Sequence, residues 1–235
     1  MLYFSNRIAV ACLAVLVGSV GAANGPAFST GPVSSGNFIR EATSTLVVPA
    51  APGPVVGNTV LWVGMGTSNG DLIQGINNNY PPDNQASPCS NLGGNWCVAA
   101  YTLHKTSDTT QESISGPRSN SRPGDQVTMH YRFDDATGNY TQVVSVNGVS
   151  VSQISTNSGH AQGWGTALEC TTRPCGSVPA HSWINTVITM NSPDPNYIQT
   201  NWKGPGVTGD LKTTDGGLTW RVDKISIPAY TFTTA

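Results

Sequence analysis

Ten strand-length stretches, each rich in valine, isoleucine, threonine, tyrosine or tryptophan, recur along the chain, and none keeps a helical period for more than two turns. They are ATSTLVVP, NTVLWVGM, DLIQGI, NWCVAAYTLHK, DQVTMHYRF, TQVVSVNGVSVSQIS, GWGTALEC, SWINTVITM, LTWRVDKISI and YTFTTA. Asn147 and Gly148 sit between two alternating runs, the pairing a type I′ hairpin turn requires because both central residues take positive φ. With 26 glycines and 16 prolines supplying turns, the pattern predicts an all-β protein of two packed antiparallel sheets, a β-sandwich.

Charge narrows the partners. Only 10% of residues are charged, the net charge is −2 and there is no basic run, so nucleic acid is not an expected partner. At the N-terminus Arg7 precedes the apolar run IAVACLAVLVGSV, and small residues at Val20 and Ala22 suit cleavage before Ala23. The run is shorter than the ~20 residues of a spanning helix, so residues 1–22 read as an export signal, not a membrane anchor. A Gly/Ser/Pro-rich lead, 23–43, is then expected before one domain, 44–235, in a secreted and monomeric protein.

Cys12 leaves with the signal. The mature chain then has four cysteines, Cys89, Cys97, Cys170 and Cys175, which suit an oxidising compartment. Local pairs, Cys89 with Cys97 and Cys170 with Cys175, are favoured among the three possible connectivities. Neither pair has CxxC spacing and no histidine stands at ligand spacing beside them, so no metal and no cofactor is expected. Asn139-Tyr140-Thr141 follows a DDATG turn and is a candidate N-glycosylation site.

Most catalytic patterns are missing from the sequence: it has no G-x-S-x-G, H-E-x-x-H or P-loop, and no spare cysteine. The histidines His104, His130, His160 and His181 are scattered and read as strand or surface residues. TTDGGLTW, 213–220, has the Asp-box pattern of a tight structural hairpin, and it occurs once where a propeller would repeat it. Two polar residues stand out. Gln74 shares a strand face with Leu72 and Ile76, and Glu169 lies in an otherwise uncharged strand, facing the same way as the small residues Gly165 and Ala167. An acid in such a setting is a candidate general acid or base, with a solvent-facing strand residue as the alternative.

The order of TLVVP, LWVGMG, LIQGI, a Trp/Tyr strand, a hairpin, an acid-bearing strand and SWINTVITM resembles the fungal glutamic peptidases, the eqolisins. The resemblance runs from about Ser44 to the C-terminus and is most specific from Trp62 to Ile76. It implies a concanavalin-like or jelly-roll sandwich and a secreted acid endopeptidase acting on polypeptides. Gln74 would donate its amide to the oxyanion and Glu169 would activate water, with Trp62, Tyr101 and Thr102 touching substrate. The family's Ala-Glu-Trp-Ile context is replaced here by TALECTT, and a different alignment would put Ser182 of AHSWI at the acid's position. A carbohydrate-binding sandwich and an inactive peptidase-like binding protein remain the alternative functions.

Overall fold

The computed structural model describes residues 23–55, 57–81, 89, 92–172 and 174–232; the segment read as an export signal lies outside them. In chain order the first strands are β1 (Ala23–Asn24), β2 (Phe28–Thr30), β3 (Ile39–Val47), β4 (Asn58–Thr67), β5 (Leu72–Asn79) and β6 (Trp96–Lys105). Next come β7 (Gln111–Ser115), β8 (Ser119–Ser121), β9 (Gln126–Asp134), β10 (Asn139–Val146), β11 (Val149–Thr156) and β12 (Ala161–Thr172). The last are β13 (Ser177–Val178), β14 (His181–Met190), β15 (Trp202–Lys203), β16 (Thr219–Ile227) and β17 (Tyr230–Thr231). All the pairings are antiparallel.

These pairings make two layers. One runs β11-β10-β9-β3-β14-β16. The other runs β7-β6-β5-β4-β12, continues past β12 through β1 and β2, and ends at β15. A single pair, Ile39 with Ala161, joins the layers along one edge. Alternation sends Leu46, Val127, Met129 and Val144 of the first layer inward against Leu61, Val63, Met65, Ile73 and Trp96 of the second. Each such side chain contributes about 1.5 to 3 kcal/mol by leaving water.

Tyr131 crosses this core. Its hydroxyl donates to the Val63 carbonyl and accepts the Gly75 N–H. Burial raises its pKa far above the ordinary phenol value, so it stays a donor. Val63 and Gly75 are directly paired, so one buried side chain pins β4 to β5 from beneath. Met129 lies where a Gly75 side chain would go, at 2.5 Å from the position of a Cβ, which explains a glycine inside a strand.

The N-terminal lead is part of the sandwich. Ala23 and Asn24 pair with Cys170 and Glu169, Ser29 and Thr30 pair with Gly165 and Trp164, and β3 already begins at Ile39. Phe28 drives this by burying its ring edge-on to Trp164, but a three-residue strand is too short to register as a period in sequence. Both expected disulfides are present, Cys89–Cys97 with α-carbons 5.9 Å apart and Cys170–Cys175 at 5.8 Å. The hairpin at Asn147-Gly148 has φ of 50° and 82°. The Asp-box turn is structural as read: Asp215 accepts from Thr213 and from the Thr219 N–H, and Trp220 is buried.

Candidate binding face of the second sheet

One face of the second layer packs into the core and the other is outward. Register defines the outward rows, because directly paired residues point the same way. One row reads Gly163, Gly66, Leu72, Leu103 and Ser113; the next Gly165, Gly64, Gln74, Tyr101 and Ser115. A third reads Ala167, Trp62, Ile76 and Ala99, and a fourth Glu169, Val60, Asn78 and Cys97. Among these the one charged side chain is Glu169.

The β4 and β12 side of the first two rows is therefore a floor of four glycines, Gly64, Gly66, Gly163 and Gly165, with aromatic rings standing beside it. Gly64 is obligatory: a Cβ there would lie 2.5 Å from the Ile73 carbonyl oxygen and 2.7 Å from the Gln74 Cβ. Trp62 and Tyr101, both half-buried, pack against Val60, Ile76 and Ala99 to form a small apolar cluster outside the main core. Gln74 stands between them at 4% exposure, although it points away from the core. Its side-chain amide makes no hydrogen bond to the described residues. Its amide atoms are not among the wholly buried unpaired ones, so they open on solvent at the outer face, where water or a bound group can pair with them.

Glu169 is held differently. The Trp62 indole N–H donates to its carboxylate at 3.1 Å. Burial raises the Glu169 pKa, and the indole bond opposes that rise. The structure puts Gln74 and Glu169 on the same face but does not bring them together. Level with Gln74 on β12 is Gly165, and level with Glu169 on β5 is Asn78. Two strand spacings and four residues separate the pair, roughly 16 Å between α-carbons. An oxyanion donor and a base acting through water must both lie about 3 Å from their reacting atoms. Trp62 occupies the ground between them.

Thr102 is not on this face. It neighbours Tyr101 in the strand and so points into the core, fully buried, where its hydroxyl accepts from the Gln142 amide at 2.5 Å. Tyr101 faces outward and donates to Ser113 at 2.6 Å. Asn139 opens β10 at a turn, half-buried, its amide donating to Ser155 at 3.3 Å. Asn78 and the pairing of Gly64 with Gly165 escaped the sequence reading because they depend on register across strands, which no local pattern encodes. The histidines have structural partners: His104 with Asp71, His130 with Glu41, and His160 stacked on Phe38. Among the described residues no group of three or more His, Cys, Asp or Glu side chains could hold a metal ion.

The architecture is a concanavalin-like β-sandwich. Scytalido-glutamic peptidase, solved with a peptide-based transition-state analogue, superposes with a TM-score of 0.50 at 12% identity, covering 85% of this chain and 97% of its own. A family 16 glycoside hydrolase endo-glucanase from Bacteroides ovatus matches at TM-score 0.43 and 11% identity over 88% of this chain and 85% of its own. A legume lectin-like domain from Entamoeba histolytica matches at 0.35 and 10% over 88% and 91%. At these identities the likeness is one of fold. No protein-family model matches the chain, and no curated protein matches it.

Proposed function

We propose that the protein is exported and that the outward face of its second sheet is a groove that binds a neutral polyhydroxylated polymer, a glycan chain, without cleaving it. The observation that carries this is the Gln74 amide, without a partner among the described residues, beside a strip of glycines and between Trp62 and Tyr101. An amide offers both donors and acceptors to hydroxyls, and aromatic rings offer apolar surface to the C–H faces of sugar rings. Charge lies toward the end of the face, at Glu169 and at Arg118 beside Tyr80, and the rows around Gln74 carry none, which suits a neutral ligand. Export is supported by the apolar N-terminal run and the two disulfides.

A second reading has one observation in its favour. Glu169 is a part-buried carboxyl of raised pKa next to an open face, as a general acid or base would be. On that reading the protein is an acid endopeptidase: Glu169 takes a proton from water as it attacks a peptide carbonyl and returns it to the leaving amine, and Gln74 steadies the oxyanion. The offset of four residues between the two weighs against it. Purified mature protein should be assayed on denatured protein from acid to neutral pH and in parallel on an array of neutral glycans. Glycan retention without proteolysis supports the binding reading. Proteolysis that Glu169→Gln abolishes replaces it with the peptidase reading.

A further inference from the structure

The row that holds Gln74 does not stop at β12. Gly165 pairs with Ser29, and Ser29 pairs with Trp202 of β15. Ser29 lies between the buried Phe28 and Thr30, so it points out of the core, and its Cβ would be 3.2 Å from a side chain on the outward-facing Gly165. Trp202 therefore stands on the same face as Gln74, four strands away, roughly 19 Å by strand spacing. It is 55% exposed, an unusual state for so large an apolar ring.

Trp202 also forms one wall of a pocket of about 320 Å³, lined by Asn24, Pro205, Pro228 and Tyr230 among others. None of its lining residues is charged. Asn24 is the β1 partner of Glu169, so the pocket adjoins the far end of the face already described. Two independent features thus meet here: a row of small residues leading from Gln74 to Trp202, and a neutral aromatic pocket at its end.

Resting on the glycan reading, we infer that this pocket is a second sugar subsite, in which Trp202 stacks against a ring of the same chain that Gln74 contacts. The ligand then runs across the strands over Gly64, Gly165 and Ser29. Asn24 supplies the pocket's side-chain amide for hydroxyls, and Tyr230 its second aromatic surface. A ligand too short to span both sites gains nothing from Trp202.

The test is calorimetric titration with neutral hexasaccharides and matching disaccharides of β-linked glucose, mannose and N-acetylglucosamine. The wild type should bind its preferred hexasaccharide at least tenfold more tightly than the disaccharide. Trp202→Ala should remove most of that gain and leave the disaccharide affinity unchanged, while Trp202→Tyr keeps most of it. The exposed ring makes a folding defect easy to separate by thermal melting. If Trp202→Ala keeps the full gain, or the wild type shows none, the second subsite is wrong while the groove at Gln74 stands. If no saccharide binds the wild type, the groove reading falls and takes the subsite with it.

Discussion

Gln74 is a polar side chain at 4% exposure with no hydrogen-bonding partner among the described residues, and that combination makes a stability prediction as well as a functional one. Replacing an unpaired buried amide by an apolar group of similar shape is neutral or stabilising. Gln74→Met should hold or raise the thermal midpoint while lowering glycan affinity at least tenfold; a drop in stability would mean that the amide has a structural partner. Glu169 has a folded pKa above its unfolded value, so the stability it confers is present below the unfolded pKa and lost as pH rises through the folded one. Glu169→Gln should thus stabilise at neutral pH and change nothing in strong acid, as read by denaturant midpoints at the two pH values. His181 works in the opposite sense: burial lowers its pKa from 6.5 to about 4. The unfolded chain takes up that proton first, so stability falls between about pH 6.5 and 4, by about 3 kcal/mol in all. His181→Gln should flatten this acid loss, and an unchanged slope would assign it elsewhere. Sequence revealed the neighbours with which Gln74 and Glu169 each share a face of their own strand, because alternation is a local property. It could not reveal that Gly165 stands level with one and Asn78 with the other.

At the scale of elements, β4 and the Asn147-Gly148 hairpin are where backbone requirements are sharpest. The hairpin turn was legible because positive φ at two successive residues leaves few residue choices. Gly148→Ala, at φ 82°, should cost about 1 kcal/mol and leave binding intact. Gly64→Ala forces a methyl against the Ile73 carbonyl and Gln74, so it should destabilise more than that and reduce binding as well. Gly165 is less crowded, its nearest neighbours 3.2 Å from a Cβ position. Gly165→Val should therefore fold, yet block the groove floor, and undiminished hexasaccharide binding by that variant would show the ligand taking another path. The short strands β1, β2 and β15 were not legible, since two or three residues hold no period and their place is fixed by contacts with β12 and by Phe28.

For the whole molecule, the two-layer sandwich follows from many weak strand signals agreeing, which is why fold class was readable when the site was not. Both disulfide pairs were also predictable, since short loops between cysteines favour local closure. On the chain-entropy estimate each loop contributes about 2 kcal/mol, and reduction should lower the thermal midpoint, more at Cys170–Cys175, which is buried in the main core, than at Cys89–Cys97, which sits in a small cluster of its own. The proposed function turns on what two sheets packed face to face leave exposed: a strip of glycines, two half-buried rings and an amide with no partner among the described residues. The most direct measurement is the equilibrium affinity of wild type and Gln74→Met for a neutral hexasaccharide at neutral pH. The account predicts measurable binding by the wild type and at least a tenfold loss in the variant, with both proteins equally folded. Equal affinities, or no binding by either protein together with acid proteolysis that requires Glu169, would contradict it.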